Sequence, residues 1–174
     1  ITQSGGLMIC KDFLENQVET ATAEQQLEAM KLMGCLVTQE STAAYIDSSG
    51  GVEAIFDLID QELVKEEPDL KIIQSGLTML ANAAGTAAVA QSIAGKGDMR
   101  RLLQGFENHK SLTEDAEIMK SLSSFLESVI KHAPESVEIM ATNNVATLMM
   151  ESMSIHSNDH ILSKQGAKIL KSVI

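Results

Sequence analysis

His156 and His160 stand four residues apart, and on a helix that spacing turns two imidazoles to one face, as a shared divalent metal requires. Ser157, Asn158 and Asp159 lie between them, however, and these residue types form a loop and a helix cap more readily than a helix interior. No third ligand accompanies the pair, so the sequence predicts no metal site. Gly95, Lys96 and Gly97 carry two ingredients of a phosphate-cradling loop. The stretch is too short to aim successive backbone N–H groups at an anion, and it lies at an expected helix junction. His109 and His132 fall at predicted helix ends, His132 in a last turn where the helix dipole favours a cation. Cys10 and Cys35 make neither a disulfide framework nor a zinc cluster, which points to a reducing compartment. With no nucleophile elbow and no recognisable pair of carboxylates, the chain is expected to have no enzyme activity, no cofactor and no small-molecule substrate.

The elements that position these residues follow from three repeating registers. Ile1, Ile46, Ile93 and Ile139 each stand five residues ahead of a small or turn-forming residue, namely Gly6, Gly51, Asp98 and Asn144. The four isoleucines are 45, 47 and 46 residues apart, a period that signals a helical solenoid. After each turn comes an apolar stripe at helical spacing: Leu7, Cys10 and Leu14; Val52, Ile55, Phe56 and Ile59; Met99, Leu102, Leu103 and Phe106; Val145, Leu148 and Met149. A further helix is anchored on a small residue at Ala29, Gly76, Ser121 and Gly166. Its predicted buried face is Met30, Met33 and Val37, then Leu77, Leu80 and Ala84, then Leu122, Phe125 and Val129, then Ala167, Leu170 and Ile174. A shorter first helix is expected near residues 41–47, 86–94 and 134–141, with Pro134 suited to a first helical turn and Pro68 just ahead of another helix. Capping boxes are read at Thr22 with Gln25 and at Ser111 with Glu114. The expected organisation is a single domain over 1–174, with repeats near 1–40, 41–85, 86–133 and 134–174. Because the chain lacks an initiator Met and enters a repeat midway, it is expected to be a fragment of a longer protein.

Composition agrees with stacked helices. Hydrophobic residues make up 44% of the chain but aromatics only 3%, so the core must rest on aliphatic side chains and on the ten Met, which fill irregular gaps. The net charge is −11, and residues 1–85 hold 14 acidic against 4 basic side chains. That distribution withholds the Lys/Arg surface a nucleic acid needs and leaves a basic partner open for the N-terminal half. No apolar run reaches membrane-spanning length, and no signal or lipidation motif is present. The expected location is the cytoplasm, with the nucleus as the alternative.

Three helices per unit, one short and two long, with a Gly-type break between the first and second, resemble the armadillo repeat. The likeness is most specific from Gly76 through Leu77, Leu80, Ala81 and Asn82 to Gly85, which is similar to the family's third-helix signature, and from Ile46 through Gly50, Gly51 and Val52 to Ile55. HEAT repeats, with two helices per unit, are the nearest competitor. The resemblance implies an all-α, right-handed α-solenoid of about four three-helix units, with third helices lining a concave groove that receives an extended or helical segment of a partner protein. In importin-like members, Trp and Asn four apart on successive third helices hold the ligand backbone and basic side chains. Those positions fall here on Lys31 and Cys35, Thr78 and Asn82, Ser123 and Glu127, and Lys168 and Ser172. Only Asn82 matches, and two Lys replace aromatic slots, which disfavours a basic peptide in that groove. Asn82 has a structural alternative, a bridge to a neighbouring helix. The functional expectation is a protein-interaction scaffold or adaptor. A nuclear-transport-type cargo receptor, or a structural component or assembly factor of a cytoskeletal or other large complex, stands as the alternative.

Overall fold

A computed structural model describes Gly6, Ile9, Asp12, Phe13 and residues 21–174; the expectations for Ile1, Leu7, Cys10 and Leu14 lie outside the described residues. Those residues form an all-α protein, with ten α-helices and no strand among them. In chain order they are α1 (Ala23–Leu36), α2 (Glu40–Ser48), α3 (Gly51–Leu63), α4 (Leu70–Ala83), α5 (Ala87–Gly95), α6 (Asp98–Asn108), α7 (Ala116–His132), α8 (Ser136–Thr142), α9 (Val145–Ile155) and α10 (His160–Val173). A short 3-10 helix, Lys110–Glu114, joins α6 to α7.

Local chemistry sets the starts of the long helices. Thr22 and Gln25 form the expected capping box, with the Gln25 amide N–H donating to Thr22 Oγ1 (3.3 Å) and the Thr22 amide N–H donating to Gln25 Oε1 (2.9 Å). Asp69, Asp115 and Asp159 cap α4, α7 and α10, each accepting from backbone N–H groups two and three residues on. The capping box read at Ser111 does not form. Its residues belong to the 3-10 helix, and Asp115 caps the following helix instead. Where α2 passes to α3 and α8 to α9, the chain turns through left-handed backbone at Gly50 (φ 82°) and Asn144 (φ 55°), a conformation that Gly and Asn accept at least cost. Four residues before these turns stand the buried Ile46 and Met140. Met140, not the half-buried Ile139, is therefore the structural counterpart of Ile46 in the last quarter of the chain.

The core is continuous through the described helices. Helix α4 packs between α1 and α7, and α7 between α4 and α10, while α3 packs on α4 and α6. Val52, Ile55, Phe56 and Ile59 of α3 and Met99, Leu102, Leu103 and Phe106 of α6 are buried as the periodicity predicts. Gly76 permits a close approach of α4 to α3, since a Cβ there would lie 2.8 Å from Ile59 Cδ1. In α10 the predicted face is displaced: Ala167 and Ile174 are exposed and Leu170 is half-buried, while Leu162, Gly166 and Ile169 carry the packing. The cause is one-sided contact. α10 packs on α7, α9 and α8, and no described element covers its other side.

An ion pair ties α7 to the cap of α10. Lys120 Nζ on α7 lies 3.4 Å from Asp159 Oδ2 and 2.5 Å from Glu117 Oε1. The Leu162 N–H, helped by Lys120 and the Ile161 N–H, holds the Asp159 carboxyl below the usual aspartate range. A depressed carboxyl adds stability above its ordinary pKa of about 3.9, and that stability is lost as pH falls through the folded value. Asp159→Asn keeps the cap but not the charge, so its acid unfolding curve is expected to show a shallower loss of stability below about pH 4. Parallel acid titrations of the two proteins, followed by helical circular dichroism, check this; identical curves would remove Asp159 from the acid limb.

Candidate interaction surface

Measured from their N-caps, the helices α1, α4, α7 and α10 place equivalent residues at equivalent depths. Seven residues after Thr22, Asp69, Asp115 and Asp159 come Ala29, Gly76, Leu122 and Gly166. The counterpart of Gly76 in α7 is thus Leu122, one residue beyond Ser121. The outward positions, nine and thirteen after the cap, are Lys31 and Cys35, Thr78 and Asn82, Ser124 and Ser128, and Lys168 and Ser172.

This register decides which predicted site residues share a surface. Lys31, Cys35, Thr78, Asn82, Lys168 and Ser172 are all exposed. Ser123 is not; it is fully buried, with its Oγ 3.5 Å from Met149 Sδ. Its place on the surface belongs to Ser124, whose Oγ accepts from Gln165 Nε2 on α10 (2.8 Å). Glu127 is half-buried beside the row and pairs with Lys168 Nζ at 3.2 Å, joining α7 to α10. The reading missed Ser124 and Ser128 because it anchored α7 on the small Ser121. The Asp115 cap was the signal that would have found them.

Several of these groups are already occupied. Asn82 Nδ2 donates to the Gly34 carbonyl of α1 (3.1 Å), so its amide nitrogen bridges two helices. Lys31 Nζ meets Glu28 Oε1 at 2.6 Å, and the Thr78 and Ser172 hydroxyls donate to carbonyls one turn back. Cys35 is an exposed free thiol. At the α7/α10 end the surface deepens into a cavity of about 250 Å³ lined by Glu127, Ile130, Lys131, Lys168, Ile169 and Ser172.

Charge is divided between the faces. Helices α4 and α10 carry Lys71, Lys164, Lys168 and Lys171 and no acidic side chain. The acids of the N-terminal half concentrate instead on α3, with Glu53, Asp57, Asp60 and Glu62, and in the turn after it. There Arg101 of α6 ties the two helices, reaching Asp57 and Asp60 at 3.1 Å and Asp98 at 2.7 Å. Burial holds the Asp60 carboxyl above its usual range in spite of Arg101.

His156 and His160 are separate structural features. His156 ends α9 and its Nε2 donates to the Thr113 carbonyl (2.9 Å), whereas His160 begins α10. Lys96, between the two glycines, pairs with Asp47 at 3.5 Å. Among the described residues no group of three or more His, Cys, Asp or Glu could hold a metal ion, and no single helix is long and apolar enough to cross a membrane.

No protein-family model matches the chain, and no curated protein matches it. Among solved structures it is similar to the crystal structure of an engineered protein, with a TM-score of 0.75 and 18% identity over 99% of this chain and 64% of that one. The likeness is one of fold. This chain spans about two thirds of that protein's length, at 64%.

Proposed function

We propose that the chain is an armadillo-like, right-handed α-solenoid that serves as a protein-interaction scaffold, receiving an extended or helical partner segment along the face of α1, α4, α7 and α10. The observation that carries this reading is the row of short polar side chains and lysines at the same two positions of four helices packed in series. A backbone laid across such a row finds hydroxyls able to donate or accept along its length. The supply of lysine on α4 and α10 favours a segment with neutral or acidic side chains there. With its amide nitrogen bonded to Gly34, Asn82 offers less of an importin-type ladder, so the transport reading draws little support. The proposed location is the cytoplasm.

A photo-crosslinking residue placed at Thr78 or Ser128, with the exposed Arg100 of α6 as the control position, tests the face used. Partner capture from Thr78 and Ser128 but not from Arg100 is the expected result. Equal capture from all three positions would reject the groove.

A further inference from the structure

The joints between successive second helices are built differently. α3 and α6 pack directly, and Gly105 allows it, since a Cβ there would lie 2.6 Å from Leu63 Cδ1. In contrast, α9 packs chiefly on α10 and on the 3-10 helix, to which His156 ties it through the Thr113 carbonyl. The 3-10 helix therefore fills part of the space between α6 and α9 and leaves a groove beside it. One cavity of about 300 Å³ has Leu103, Phe106 and Leu148 along its floor. It shares Lys110, Thr113 and Glu151 with a second, of about 370 Å³, which ends on Ile155.

The groove has an apolar track and an acidic rim. Leu148, half-buried, and Ile155, 51% exposed, are the accessible apolar residues of one stripe of α9 with Glu151 between them, while Leu103 and Phe106 beneath are fully buried. Glu107, Glu114 and Glu151 line the two cavities against one cation, Lys110. Glu107 accepts a hydrogen bond from Asn144 Nδ2 (2.8 Å), while Glu114 and Glu151 have no ionic partner among the described residues. A groove in which Leu148 and Ile155 alternate with unpaired carboxylates is complementary to a segment with aliphatic side chains interleaved with Lys or Arg. The run from Asn144 to Ile155 is about 16 Å long at helical rise, enough for about three helical turns of ligand.

We propose that the groove between α6, the 3-10 helix and α9 is a second docking surface, distinct from the face of α1, α4, α7 and α10, and that it takes a basic amphipathic segment of a partner protein. The probe is a fluorescein-labelled helical peptide of about three turns with leucines at three- and four-residue spacing and flanking lysines, set against a twin in which glutamate replaces each lysine. By fluorescence anisotropy the full chain is expected to bind the lysine peptide and not its twin. Glu114→Lys with Glu151→Lys is expected to weaken binding about tenfold or more, and Ile155→Asp to weaken it as well. All three are exposed positions, and unchanged circular dichroism confirms that the variants fold. Lys168→Glu, on the other face, is expected to leave binding unchanged. The proposal is overturned if the twin binds equally, if the double variant binds like the original, or if Lys168→Glu rather than the groove variants changes the affinity. It is also overturned if sedimentation velocity shows self-association that Glu151→Lys abolishes, since a second copy would then be the occupant.

Discussion

Ser123→Asp is expected to destabilise the protein by about 3–5 kcal/mol, the cost of an uncompensated buried charge, whereas Ser124→Asp costs less than about 1 kcal/mol, as exposed substitutions usually do. The two serines are neighbours in sequence and chemically identical. Ser123 is fully enclosed beside Met149, with no cation among its hydrogen-bonding or ionic contacts. Ser124 is half-exposed and faces Gln165, whose amide can donate to a carboxylate as readily as to a hydroxyl. Urea unfolding of the two variants decides the matter. Similar midpoints for both would mean that the outward face of α7 has been assigned one residue out of register.

Phe125→Ala is expected to cost about 3–5 kcal/mol, a large share of the roughly 5–15 kcal/mol by which a domain of this kind is stable. In a core with so few aromatics, Phe56 of α3 and Phe125 of α7 meet edge to face, with centroids 6.0 Å apart and planes at 71°. Both are fully buried. Removing the ring leaves a cavity at the junction of two helices far apart in sequence, which rigid neighbours refill only in part. The pairing itself is worth about 0.5–1.5 kcal/mol beyond burial, so a double-mutant cycle with Phe56→Leu and Phe125→Leu should return a coupling of that order. A loss below about 1 kcal/mol for Phe125→Ala would show that the two rings do not join these helices.

The elements were legible because their causes are local. The stripes on α3 and α6 are repeated apolar spacings, and they are buried as read. The cap at Thr22 depends on residues three apart, and it forms. Two of the misreadings share one origin, in that small or aliphatic residues served as anchors where the backbone keeps a different count. Ser121 resembles Gly76 in size, yet Leu122 holds its position relative to the cap. Ile139 resembles Ile46, yet Met140 is the buried residue. An α-helix turns about 100° per residue, so a one-residue error exchanges a surface position for a core one. That is the difference between Ser124 and Ser123.

Composition and spacings within a few turns suffice for the helical class, the approximate places of the short helices α2, α5 and α8 and the apolar stripes of α3, α4 and α6. Packing between helices is what sends the Asn82 amide to Gly34, 48 residues away, leaves Ala167 and Ile174 exposed at α10, and puts the 3-10 helix in the joint between α6 and α9. Those outcomes depend on which side of each helix its neighbours cover, and periodicity within one helix carries no record of its neighbours.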